Sequence, residues 1–241
     1  METRWLEQTE ADLPANDEWL SPAEAVVLNR MRLAKRRADW RLGRWTAKHA
    51  AAACLKLPAD PHALCEIEIR AAASGAPGLF LAGRPARLTI SISHRAGIAA
   101  CAIATCDVAL GCDLELIEPR DASFVADYFT EEEQGLVALR PAQEQPGLVT
   151  LIWSAKESAL KALREGLRVD TRSLAVTFAA RPNQEDAAVG WRALQVACSG
   201  GEIFEGWWQR TNQMVRTLVG APAPLTPFFI ELGAISGDSV V

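Results

Sequence analysis

Apolar and polar positions in this chain follow two periods, one helical and one extended. Ser21-Pro22-Ala23-Glu24 reads as a helix start, a serine N-cap followed by proline at the first helical position. Apolar or small residues then recur at steps of three and four: Val27, Met31, Ala34, Ala38, Leu42, Trp45 and His49. Gly43 costs helix stability, so a division into two helices is expected there. Alternation takes over at Glu66-Ile67-Glu68-Ile69, and Ser74-Gly75-Ala76-Pro77-Gly78 reads as a tight loop. Residues 87–93 and 97–105 read as antiparallel strands with their turn at or near Ser93-His94-Arg95-Ala96, and residues 109–117 as the next strand. Thr130-Glu131-Glu132-Glu133 is a capping box opening a short helix, with Pro141 just beyond its end. A longer helix is expected over 147–164, with Leu148, Leu151, Ile152, Ala155, Ala159 and Leu163 inward and Gly166 closing it. Residues 173–178, 191–197 and 216–220 read as strands, and the tail from Gly233 onward is weakly patterned.

The two helical stretches resemble each other. Trp45-Thr46-Ala47-Lys48-His49 aligns with Trp153-Ser154-Ala155-Lys156-Glu157 at an offset of 108. Each is followed by a strand after a short break. The expected architecture is therefore an α/β (α+β) fold of two related halves, residues 1–107 and 108–241. With 241 residues, 49% of them hydrophobic, the chain can bury either one large core or two small ones.

Charge narrows the partners. A formal net charge of −5 argues against general nucleic-acid binding, so any anion site has to be local. No run approaches 18 apolar residues, and the first twenty residues carry charges throughout, so neither a membrane span nor a signal peptide is expected. Cysteines at 54, 65, 101, 106, 112 and 198 form no CxxC and lie mostly in apolar stretches, as small buried residues of a reducing compartment do. A cytoplasmic monomer is the expectation.

Against that background three carboxylates stand out. Asp113 and Glu115 fall on one face of their strand, while Cys112, Leu114 and Leu116 fall on the other. The flanking apolar residues suggest a central strand, and two carboxylates so close repel unless a cation lies between them. Glu157 lies on the second helix beside Lys156 and Lys161. An exposed i,i+4 ion pair between Glu157 and Lys161 is the simplest account of those two taken alone. Two strand carboxylates and a helix carboxylate beside lysines also suit Mg²⁺ held against a polyphosphate, because oxygen ligands favour that ion. His94, at a strand end, is placed to meet a ligand rather than a metal. Arg37, Arg41, Arg44 and Lys48 make a basic stripe, and residues 30–48 hold eight Lys or Arg against one Asp, a density that favours a phosphate contact.

These motifs resemble the 4′-phosphopantetheinyl transferases, specifically the two-domain, broad-specificity (surfactin-synthetase-activating) type. The resemblance runs through Gly75-Ala76-Pro77, Ser91-Ile92-Ser93-His94, Gly111-Cys112-Asp113-Leu114-Glu115 and Trp153 to Lys161, and spans about residues 36 to 178. It implies two similar α/β halves about a pseudo-twofold, with the ligand cleft between them. Asp113, Glu115 and Glu157 would bind Mg²⁺, and Glu157 would deprotonate the acceptor serine. Lys161 would hold the pyrophosphate of coenzyme A. Ser93, His94, Gly75, Ala76, Pro77 and Arg70 would contact its nucleotide, and Arg44 and Lys156 are taken with them. The acceptor would be an acyl- or peptidyl-carrier protein, and the second product adenosine 3′,5′-bisphosphate.

The chain also departs from the family pattern. Ala76 stands where many members have lysine, and Arg95 where a small residue is common. Glu24 and Val27 occupy a zone that often carries basic residues, so Arg37, Arg41, Arg44 or Lys48 must substitute. Carrier docking is expected on residues 124–139, with Phe129 as an exposed ring. Two other classes are a metal-dependent nucleotide phosphohydrolase and a non-catalytic carrier- or nucleotide-binding relative; the intact carboxylates and Lys161 argue against the latter.

Overall fold

The computed structural model describes residues 1–105, 107–165, 168–179 and 190–232. Gly166, the expected helix stop, Cys106, and the tail from Gly233 lie outside the described residues.

The first half runs β1 (Thr3–Thr9), α1 (Pro22–Asn29), α2 (Ala34–Leu55), α3 (Pro61–Glu66), β2 (Ile67–Ala71), β3 (Pro77–Leu81), β4 (Arg84–Arg95) and β5 (Ile98–Ala104). The second runs β6 (Ala109–Leu116), α4 (Ala122–Tyr128), α5 (Glu131–Ala138), α6 (Gln145–Leu163), β7 (Leu174–Phe178), β8 (Arg192–Cys198), β9 (Ile203–Arg210) and β10 (Met214–Ala221). Five strands of the first sheet follow the order β1-β5-β4-β3-β2, and the second sheet follows β6-β10-β9-β8-β7, the same path taken twice. A short last strand, β11 (Phe228–Phe229), returns to pair in parallel with β1, so the chain beyond the second sheet joins the first. No helix among the described residues is long and apolar enough to cross a membrane.

The repeated sequence builds a repeated buried clasp. In the first half Ser21 and Glu24 form a capping box at the start of α1, and the Glu24 carboxylate also accepts the Ile69 amide at 3.0 Å. Lys48 on α2 meets Glu24 at 2.6 Å and donates to the carbonyls of Trp19 and Leu64. In the second half Thr130 and Glu133 form the capping box of α5, and Glu133 accepts the Val176 amide at 2.9 Å. Lys156 on α6 meets Glu133 at 2.7 Å and donates to the carbonyls of Tyr128 and Thr171. Both lysines are fully buried. Burial pulls both ammonium groups below the usual lysine range, and the paired glutamate opposes it. Every charged atom that burial strips of water thus has a named partner, the condition under which such a pair persists.

Each half has its own apolar core, one around Leu28, Trp45 and Ile67, the other around Phe129, Leu151 and Trp208. A third cluster, with Trp5, Ala100, Ala102, Cys112, Leu114 and Leu218, packs where the two sheets meet. The small residues of β5 let the sheets approach closely.

Three expectations about elements are corrected. The helical stripe breaks at residues 30–33 rather than at Gly43. Gly43 lies inside α2, where a Cβ would stand 3.3 Å from Ile92 Cγ2, so its lack of a side chain lets α2 lie close on β4. The turn after β4 falls at Ala96 and Gly97, both at positive φ, just beyond the expected centre. And β6 is an edge strand, paired only with β10 in its own sheet, with β4 of the other half packed along its free side.

Candidate functional site

The free side of β6 decides where the carboxylates sit. Gly111 allows α6 to lie directly on the strand: a Cβ there would fall 1.8 Å from the Ser158 carbonyl oxygen. That close approach brings Glu157 and Lys161 over Asp113 and Glu115. From the other half Ser91 Oγ accepts the Cys112 amide at 2.9 Å, and Ser93 Oγ donates to Asp113 Oδ1 at 2.8 Å. Lys161 Nζ donates to the same oxygen at 2.8 Å and to the Cys112 carbonyl at 2.9 Å. Lys161 therefore reaches across to β6 rather than standing as an exposed helix-surface partner of Glu157.

The electrostatics are unbalanced. Asp113 is only 4% exposed, and its Oδ2, like Glu115 Oε2, is buried without a hydrogen-bond partner. Burial first, and then the charge of Asp113, pushes the carboxyls of Glu115 and Glu157 above the usual range. For Lys161 burial acts downward, but Asp113 and its other neighbours outweigh it and the ammonium is held above its ordinary value. Asp113 Oδ2, and Glu115 Oε2 with only the charges of Arg95 and Arg120 facing it, lie beside a third carboxylate and form a donor set for a hard divalent cation. Among the described residues no three such side chains converge on one point.

A cavity of about 680 Å³ opens beside this cluster, lined by Lys35, Arg36, Asp39, Trp40, Arg44, Gly75, Pro77, Ile92 and His94. Its charge is mostly cationic, and two of its walls are the Trp40 ring and Pro77. Arg44 lies over Trp40, 3.8 Å from the ring centroid, and burial lowers its guanidinium to about 10 against the pull of Glu24. His94 stands 3.9 Å from Asp39. Burial is the main cause that lowers its imidazole below the ordinary histidine value; Asp39 opposes this, while Lys161 and Lys35 add to it. A second cavity, of about 290 Å³, shares Gly75, Pro77 and Ile92 with the first and is also lined by Ala76, Ser91, Lys161 and Arg164. Gly75, Pro77 and Ile92 thus separate the cationic cavity from the one that Lys161 lines.

Of the residues singled out from sequence, Asp113, Glu115, Glu157, Lys161 and Ser93 come together at β6, Arg44, Gly75, Pro77 and His94 line the first cavity, and Gly75, Ala76, Pro77 and Lys161 line the second. Others do not. Lys156, expected beside the nucleotide, is locked into the clasp with Glu133 and turned from the cleft. Lys48 is likewise consumed by Glu24. Arg41 is held by Asp17 and the Pro14 carbonyl, and Arg37 by the Leu28 carbonyl. Arg70 pairs with Glu68 and stacks on Phe80. Phe129, expected as an exposed docking ring, is fully buried; Tyr128 beside it is 38% exposed and packs edge-on to Trp153. Lys35, Arg36, Asp39 and Trp40 were not singled out. Their signal was the start of a new helix after residue 33, which an expected break at Gly43 concealed.

No curated protein matches the chain. Residues 109–195, the segment that carries Asp113, Glu115, Glu157 and Lys161, match the family model of the 4′-phosphopantetheinyl transferase superfamily.

Proposed function

We propose that this protein transfers the 4′-phosphopantetheine arm of coenzyme A to a serine of an acyl- or peptidyl-carrier protein. The observation that carries the reading is the cluster of Asp113, Glu115 and Glu157 with Lys161 seated on Asp113, electrostatically coupled to His94 in the lining of a cationic cavity that also holds Trp40. In this reading Trp40, Gly75 and Pro77 receive the adenine. Lys35, Arg36, Arg44 and His94 receive the phosphates of the nucleotide, and the pyrophosphate extends toward Lys161.

The serine hydroxyl attacks the phosphorus on the pantetheine side of the pyrophosphate, forming a phosphoester. The bond from that phosphorus to the bridging oxygen breaks, and adenosine 3′,5′-bisphosphate leaves with the electron pair. Glu157, on α6 beside Lys161 and close to Asp113, takes the serine proton. Lys161 neutralises charge that builds on the leaving phosphate. Asp113, Glu115 and Glu157 would hold Mg²⁺, which supplies further charge neutralisation at the pyrophosphate.

Cleavage of coenzyme A, followed with and without a carrier protein, separates this reading from nucleotide hydrolysis. Transfer requires carrier for cleavage. Equal cleavage in its absence, with water as acceptor, would favour the phosphohydrolase.

A further inference from the structure

Arg95, the residue that follows His94, aims its charge at the carboxylate cluster from the opposite half. Its Nε stands 3.3 Å from Glu115 Oε2, and its Nη2 is anchored by Glu118 at 2.5 Å. Arg120 approaches the same Glu115 oxygen at 3.9 Å. Neither Arg95 Nε nor Glu115 Oε2 makes a hydrogen bond, though both are buried. The guanidinium is therefore placed beside Glu115 by Glu118 rather than bound by Glu115 itself. We infer that Arg95 is a built-in counter-ion of the metal site, which makes the clustered carboxylates tolerable without metal and lowers their affinity for a divalent cation.

The inference rests on the reading of Asp113, Glu115 and Glu157 as metal ligands. A fixed positive charge a few ångströms from a carboxylate stabilises it when no metal is bound and repels an incoming divalent ion when one is. Both effects subtract from metal affinity. Removing the charge reverses both. Lysine at the same position keeps the charge and loses only the guanidinium's second arm, the one that reaches Glu118.

Binding of Mn²⁺ alone, without coenzyme A or carrier, tests this by the loss of the free-ion paramagnetic resonance signal. Arg95→Ala should bind Mn²⁺ on the order of tenfold more tightly than the wild type, and Arg95→Lys should stay within about twofold of it. The metal-free Arg95→Ala protein should melt earlier than wild type and gain more on adding Mn²⁺, because binding stabilises the native state by mass action. Unchanged or weaker binding in Arg95→Ala overturns the inference and leaves the ligand assignment standing. Absence of Mn²⁺ binding in the wild type and both variants overturns the inference and the ligand assignment together.

Discussion

Lys156 and Lys161 lie on the same helix and do different work. Lys156 is a structural cation sealed against Glu133, whereas Lys161 remains partly exposed at the mouth of the cleft with its ammonium on Asp113. Lys161→Ala should lower kcat by about 10²–10³-fold, the usual cost of losing one group that stabilises developing charge, with only a small shift in melting temperature; steady-state kinetics beside a thermal melt would show it. His94→Ala should raise KM for coenzyme A and leave the metal requirement unchanged, because the ring faces the cationic cavity and Asp39 rather than the carboxylate cluster. An unaltered KM at saturating carrier would remove His94 from the nucleotide site. His49, which the repeat aligns with Glu157, is buried; its imidazole is held below the ordinary value by burial, opposed by the Trp45 carbonyl. The folded protein then binds fewer protons there than the unfolded chain, so stability contributed at neutral pH is lost as pH falls below the ordinary histidine value of about 6.5. The fall in melting temperature between about pH 7.5 and 5.5 should be shallower in His49→Gln than in the wild type. The clustered positions Asp113, Glu115, Glu157 and Lys161, catalytic in the proposed reading, were legible from spacing, since period two and period four each put their carboxylates or cations on one face. Arg95 was legible only as an oddity, because its partners Glu115 and Glu118 lie on another strand and the loop after it.

At the scale of elements, the capping boxes and the repeated Trp-x-x-Lys segment were readable, and together they predict two similar helices. What they make was not readable. Sequence alone gives Lys48 and Lys156 the same standing as Arg44 and Lys161. Only the packing of α1 on α2 and α5 on α6 decides which cations are sealed inside. Lys156→Met should cost about 3–5 kcal/mol by leaving Glu133 charged and buried without its partner, which chemical denaturation would measure; a loss below ~1 kcal/mol would contradict the clasp. Gly111 makes the corresponding point for the strand. Glycine is needed there for a steric reason, the approach of α6 to β6, and Gly111→Ala should lower both stability and activity by lifting α6 and drawing Lys161 off Asp113. The break at residues 30–33 was missed because apolar residues continue through it in helical phase.

The whole molecule is one α/β design used twice, with one set of chemistry. The first half supplies Ser91, Ser93, His94 and Arg95 from β4, together with the cationic cavity; the second supplies the carboxylates and Lys161. On β1, the strand that corresponds to β6 in the shared sheet order, Trp5 is fully buried, and Glu7 pairs with Arg216 at 2.7 Å across the interface. That bridge and the small-residue cluster between the sheets hold the halves together. The duplication was visible in the sequence, but the asymmetry was not, because it depends on which strand edge of one half meets which edge of the other. The central claim is group transfer to a carrier serine. Its most direct test is the intact mass of a panel of apo-carrier proteins incubated with coenzyme A, Mg²⁺ and the protein, with Asp113→Ala as control. The account predicts that at least one carrier gains a single phosphopantetheine arm, and that the gain disappears with the variant or a chelator. Coenzyme A breakdown with every carrier left at its original mass would contradict it.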